Sequence, residues 1–146
     1  MKRLSFCIGI NKYPKKVENL KGCVNDANDW HNLLTDKFNF QAINSGPLLN
    51  SAATKTKILE GLQVMLERLN VGDLGVFFFS GHGLSIYLDM PDDDYYDEAI
   101  YTADEKSIVD DDLRKLLNTY KTKAKLIFIF DCCYSGTLID PVEFNN

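Results

Sequence analysis

The residues best equipped for chemistry stand at two places, each just past an apolar run. Val76-Phe-Phe-Phe79 leads into Ser80-Gly-His82-Gly83, and Leu126-Ile-Phe-Ile-Phe130 leads into Asp131-Cys-Cys133-Tyr-Ser-Gly136. A free thiol titrates near pKa ~8.5, so at neutral pH it needs help to act as a nucleophile. An imidazole beside it can take the proton during attack or hold it in a thiolate–imidazolium pair. Glycines on both sides of His82 leave its ring uncrowded and let the chain turn sharply, which a packed core histidine does not require. The backbone N–H groups of Gly83 and of the nucleophilic cysteine are suited to stabilising an oxyanion. Cys132 continues the alternation of a buried strand and is expected to pack. Cys133 falls in the turn, where a side chain can emerge. The other histidine, His31, sits beside Trp30 in a helical stretch and reads as structural or solvated.

These side chains must be delivered by elements that place both apolar runs side by side. Continuous apolar runs of this kind are strands buried on both faces, and in open α/β sheets chemistry gathers beyond their carboxyl ends. Leu4–Ile10 predicts a first strand and Phe38–Ile43 a short alternating one. Asn25 is expected to cap a helix whose apolar positions Ala27, Trp30, Leu33 and Leu34 fall at helical spacing. Thr54 caps a second, lined by Ile58, Leu59, Leu62, Val64, Met65, Leu66 and Leu69 and ending near Asn70. Leu84–Lys106 reads as a long irregular loop rich in Asp and Tyr, of the kind that is functional or mobile. Asp110–Tyr120 predicts a third helix with Leu113, Leu116 and Leu117 inward. Strands alternating with helices give an α/β fold: a mainly parallel sheet with helices on both faces, in one domain spanning residues 1–146.

The 146 residues are 45% hydrophobic and 25% charged, ordinary for one globular domain able to bury a core without disulfides. A net charge of −5 argues against nucleic-acid binding, which needs a basic patch. The acid is concentrated at Asp89–Glu98 and Asp110–Asp112, which reads as a solvated face or as a site for a cation or basic substrate. Of four cysteines, Cys7 lies inside an apolar strand and adjacent Cys132 and Cys133 are poor partners for each other. Reduced thiols in a cytoplasmic protein fit best. No apolar run approaches a membrane span, and nothing at the N-terminus resembles a targeting segment.

Ser80-Gly-His82-Gly83 followed about fifty residues later by Asp131-Cys-Cys133-Tyr-Ser-Gly136 resembles the metacaspase branch of the caspase-like cysteine peptidases. Ile8-Gly-Ile-Asn-Lys-Tyr13, Gly22-Cys-Val-Asn-Asp-Ala27, Tyr96-Asp-Glu98 and Val109-Asp-Asp-Asp-Leu113 extend the resemblance over essentially the whole chain. It implies a caspase-like three-layer sandwich and a dyad of His82 and Cys133 that cleaves protein or peptide substrates after arginine or lysine. It matches Cys23, Asp26, Ser80 and Asp131 to an acidic S1 pocket, although an acid at Asp26 is favourable early in a helix in any case. It also implies calcium as an activator, not required for the chemistry itself, held by Asp97, Asp110, Asp111 and Asp140. Asp110 and Asp111 equally suit the opening of a helix.

By the same resemblance, residues 1–146 correspond to a large (p20-like) subunit lacking the small-subunit strands. The last strand is then left at an open edge, which invites a p10-like subunit or a second copy to pair with it. A catalytically silent caspase-like module binding a partner through that edge is the alternative from another class. A flavodoxin-like phosphate binder is a weaker third, since no GxGxxG or P-loop stretch is present.

Overall fold

The computed structural model describes residues 1–14, 17–90, 93–120 and 123–132. The elements run β1 (Arg3–Gly9), α1 (Cys23–Asn32), β2 (Gln41–Ala42), β3 (Leu48–Leu49), α2 (Lys55–Arg68), β4 (Leu74–Ser80), β5 (Gly83–Met90), β6 (Asp93–Tyr101), β7 (Ser107–Val109), α3 (Asp110–Tyr120) and β8 (Lys125–Asp131). The main sheet has the order β2-β1-β4-β8, with β3 also on β1, and every pairing in it is parallel.

Side-chain alternation along the two central strands builds the layers. Leu4, Phe6 and Ile8 of β1 and Phe77 and Phe79 of β4 face α2 and α3, packing with Ile58, Leu62, Met65, Leu113 and Leu117. Cys7, Val76 and Phe78 face the other way, onto Ala27 and Leu34, and Trp30 of α1 stacks on Phe78 at 5.4 Å. The result is the three-layer α/β sandwich predicted, with helices on both faces. The site is carried at the carboxyl end of the sheet.

Local chemistry explains where the elements start and stop. Thr54 caps α2, its hydroxyl accepting the Lys57 N–H at 3.3 Å, as expected. Val64 does not line that helix's buried face: it is 40% exposed. Asn25 is not the cap of α1. That helix begins two residues earlier, after Gly22, because the Val24 N–H is satisfied from afar by Asn11 Oδ1 at 3.2 Å. Such a tertiary cap leaves no local signature. The strand expected over Phe38–Ile43 shrinks to Gln41–Ala42. Asn39 adopts a left-handed φ of 55°, and the Phe40 N–H returns to the Leu34 carbonyl at 3.0 Å, so the residues before β2 close the helix rather than extend.

The largest correction concerns residues 84–106. The described residues among them form no irregular loop but most of a second, antiparallel sheet of order β5-β6-β7, with Gly83 opposite Ile100 and Ala99 opposite Val109. The alternation Leu84-Ser-Ile86-Tyr-Leu88 is a strand signal. The aspartates of β6, poor strand formers, masked its partner.

Asp73 ties the start of β4 to the start of β1. Its carboxylate accepts the Asn70 N–H at 2.9 Å and the Lys2 N–H at 2.6 Å. These bonds hold its carboxyl below the usual carboxylate range. A carboxyl depressed on folding adds stability above its unfolded pKa, near ~3.9, and loses it as the pH falls through the folded value. Asp73→Asn is therefore expected to lower the midpoint of urea unfolding at pH 7. The difference from the unsubstituted chain should narrow steadily below about pH 4.

Candidate active site

The parallel register brings the two chemistry-bearing segments together. Ser80 at the end of β4 lies opposite Asp131 at the end of β8, and the Gly81 N–H donates to the Asp131 carbonyl at 3.3 Å. His82 is two residues beyond Ser80, and Cys133 two residues beyond Asp131. Both segments thus leave the sheet from neighbouring points on one edge. Cys133 itself lies outside the described residues. Cys132, the last described residue, packs half-buried against the larger core cluster, as its place in the alternation predicts.

His82 is held from several sides. The Ile10 N–H donates to the Ser80 carbonyl at 3.0 Å, and the Tyr101 N–H to the His82 carbonyl at 2.9 Å. The His82 N–H donates to the Tyr13 hydroxyl at 2.9 Å, and the Tyr13 ring lies 4.8 Å from the imidazole. A Cβ at position 81 would meet that same hydroxyl at 2.7 Å and the Phe79 ring at 2.8 Å, so glycine there allows the close approach. Burial pushes the Tyr13 phenol up, so it serves as a neutral hydroxyl, stacked on Tyr101 at 5.7 Å. His82 Nε2 is 2.7 Å from the Glu18 carbonyl oxygen. A carbonyl only accepts, so Nε2 carries the hydrogen, and in the neutral ring the lone pair then lies on Nδ1. That is the tautomer a base needs at Nδ1. Gly83 opens β5 and is buried.

The four residues matched to an S1 pocket converge. Ser80 is 1% exposed, and its Oγ lies 3.3 Å from Asp26 Oδ2 and 3.4 Å from Asp131 Oδ2. A hydroxyl has one hydrogen to donate, so two carboxylates share a single donor. Among the described residues no lysine or arginine forms an ion pair with either acid. The Cys23 thiol is pushed up by burial, against a Ser80 hydrogen bond, with the charges of Asp26 and Asp131 adding to the rise. A cluster of two acids, one half-buried and one exposed, beside a buried thiol favours a cation over an anion.

Close packing between β1 and α1 sets the position of this cluster. A Cβ at Gly9 would meet the Cys23 carbonyl oxygen and lie 2.8 Å from the Ala27 Cβ, so α1 rests directly on the strand. Gly9→Ala must push α1 outward, and Cys23 and Asp26 with it. The expected cost is about 1–3 kcal/mol of stability by urea titration, the usual range for overpacking.

Of the acids matched to calcium, three are described and come from two elements. Val109 pairs with Ala99, and the chain continues directly into α3, which brings Asp110 beside Asp97. The Asp97 carboxyl is pushed up to about 6, first by burial, then by its hydrogen bond with Asp110 and the charges of Asp110 and Asp111, with Arg114 opposing. The Arg114 guanidinium reaches Asp110 Oδ2 at 2.7 Å and Asp111 Oδ1 at 3.3 Å. The donors are hard oxygens, right in kind for calcium, and a guanidinium already stands among them as a cation. Among the described residues no three acidic, histidine or cysteine side chains form a group able to hold a metal. Asp140 lies outside the described residues.

The residues that sequence reasoning missed are the supports of His82. Tyr13 carried only a motif match, and the Glu18 contribution is a backbone carbonyl that any residue type can supply.

A family model described as the metacaspase, peptidase C14 domain matches residues 3–142. Metacaspase-7 of Arabidopsis thaliana is 33% identical over 150 residues, covering 98% of this chain and 37% of its own length. Metacaspase-1 of Cryptococcus neoformans is also 33% identical, over 95% of this chain and 33% of its own length. The chain thus spans about a third of the length of these curated relatives. The crystal structure of protein GSU0716 from Geobacter sulfurreducens superposes with a TM-score of 0.78 at 26% identity, over 94% of this chain and 52% of that one. With a three-layer parallel sheet, a supported histidine at its carboxyl edge and a family match over nearly all of its residues, the chain belongs to the metacaspase family.

Proposed function

We propose that the chain is the large-subunit part of a cysteine endopeptidase that cleaves after arginine or lysine. The observation that carries this reading is the convergence of Asp26 and Asp131 on Ser80 at the sheet edge that also bears His82. In the proposed reaction, His82 Nδ1 takes the Cys133 proton and the sulfur bonds to the scissile carbonyl carbon. The carbonyl π pair moves onto oxygen, where the Gly83 and Cys133 N–H groups would stabilise the charge. As the carbon–oxygen double bond re-forms, the C–N bond breaks and the imidazolium proton passes to the leaving amine. Water then gives a proton to His82 as its oxygen bonds to the acyl carbon, the carbon–sulfur bond breaks to release the acid, and the proton returns from His82 to the Cys133 sulfur. The Glu18 carbonyl keeps Nε2 protonated throughout.

Asp26 and Asp131 bind the basic P1 side chain, with Ser80 and Cys23 forming the recess around them. Calcium as an activator would be held by Asp97, Asp110 and Asp111 with Asp140, tying β6 to α3, and its binding would displace the Arg114 guanidinium from Asp110 and Asp111. The cation has no part in bond making. The three described cysteines are free thiols, in keeping with a reducing compartment such as the cytoplasm, and no helix among the described residues is long and apolar enough to cross a membrane. Fluorogenic peptides test the reading. Arg- and Lys-P1 peptides should be cleaved and an Asp-P1 peptide left intact, with calcium raising the rate; preference for Asp-P1 would overturn the pocket assignment.

The edge strand favours a partner. Among the described residues β8 pairs only with β4; Ile127 is 43% exposed, and Phe128 and Phe130 stack half-buried at 6.2 Å. A p10-like subunit or a second copy would continue the sheet there. The same edge supports the second reading, a silent module that only binds. Uncleaved Arg- and Lys-P1 peptides, with a partner bound through β8, would favour it.

A further inference from the structure

His82 is supported by residues that are themselves held by something else, and the hydrogen bonds lead to Asn50. This residue follows β3 with a φ of 47°, a left-handed conformation that asparagine tolerates better than most side chains. Its carbonyl accepts the Ala53 N–H at 2.9 Å. Its side-chain Oδ1 accepts two backbone N–H groups at once, Asn11 at 3.0 Å and Lys12 at 3.2 Å. Those are the residues that leave the end of β1.

From there the strap closes on itself. The Leu20 N–H donates to the Asn11 carbonyl at 2.8 Å, and Asn11 Nδ2 to the Lys21 carbonyl at 3.4 Å. The Tyr13 N–H donates to Asn19 Oδ1 at 2.9 Å. Tyr13 and Glu18, the two groups that touch His82, are thus fixed at the two sides of this strap. Without Oδ1 of Asn50, two backbone donors at the root of the strap lose their acceptor.

We propose that Asn50 is a positioning residue for His82: by anchoring the strap at Asn11 and Lys12 it keeps the Glu18 carbonyl on Nε2 and so sets the imidazole tautomer. This rests on reading His82 as the catalytic base, but its first test does not require catalysis. Asn50→Gly keeps the left-handed backbone available and removes the acceptor, while Asn50→Asp keeps both.

In protein labelled with ¹⁵N at histidine, long-range proton–nitrogen spectra report which ring nitrogen of His82 carries the hydrogen. The unsubstituted chain and Asn50→Asp should show Nε2–H. Asn50→Gly should show a mixture of tautomers. Its kcat on an Arg-P1 peptide should fall on the order of 10- to 100-fold, the scale of a misplaced catalytic group, with KM little changed and activity restored in Asn50→Asp. A folded Asn50→Gly protein with the tautomer of the unsubstituted chain overturns the proposal. Should that variant not fold, Asn19→Ala breaks the same strap beside Glu18, and an unchanged tautomer there overturns it too. A tautomer change in a chain that cleaves no peptide would uphold the positioning role and remove the peptidase reading alone.

Discussion

Cys133→Ala is expected to lower cleavage of an Arg-P1 peptide by at least about 10⁴-fold, the scale seen when a covalent nucleophile is removed. The loss should lie in kcat, because Asp26 and Asp131, the acids proposed to bind the P1 side chain, are left in place. The reason is structural as well as chemical. Register pairing of Ser80 with Asp131 starts the histidine and cysteine segments from one point on the sheet, and Cys132 is already packed against the core. Cys132→Ala, by contrast, should keep most of the activity. Steady-state kinetics on the two variants separates the adjacent thiols: retained turnover in Cys133→Ala would transfer or abolish the nucleophile assignment.

The second large effect is on specificity. Asp26→Asn combined with Asp131→Asn removes both charges facing Ser80 while leaving atoms of nearly the same size. Asp26 is half-buried and Asp131 exposed, so the loss is that of a charge-assisted hydrogen bond, about 1.5–3 kcal/mol, and kcat/KM for Arg- and Lys-P1 peptides should fall by roughly 10- to 150-fold. A peptide with a neutral P1 should lose far less. Single substitutions are expected to be unequal and non-additive, since both acids draw on one serine hydroxyl at 3.3 and 3.4 Å. Equal losses for basic and neutral P1 peptides would mean that the acids support the fold rather than the pocket.

Much of this was legible in the residues alone, and the pattern of success has a physical basis. The apolar run Val76–Phe79 is covered on both faces as expected, whereas Leu126–Phe130 forms its parallel partner but stays half-buried with Ile127 43% exposed, because among the described residues β8 pairs on one side only. Thr54 announced α2 because its cap is local. What stayed hidden was tertiary or carried by backbone. The start of α1 depends on Asn11, thirteen residues away. The antiparallel β5–β6 pair hid behind aspartates placed in β6. The support of His82 runs through the Glu18 carbonyl and the Asn50 side chain, and neither residue type advertises such a role. The Ser80 contacts show the reverse case: a motif match matched Asp26 and Asp131 to one pocket, and the fold brings both to one hydroxyl.

Alkylation followed residue by residue tests the pairing of His82 with Cys133 most directly, because it needs neither substrate nor turnover. Cys7 provides the inert reference, its thiol pushed up to about 12 by burial. At pH 7 iodoacetamide should label Cys133 far faster than Cys7, and His82→Ala should slow Cys133 by at least tenfold, the lower end of what an imidazole partner supplies to a thiol with a free pKa of ~8.5. Labelling of Cys133 that is as slow as that of Cys7, or that is unchanged by loss of the imidazole, would contradict the dyad.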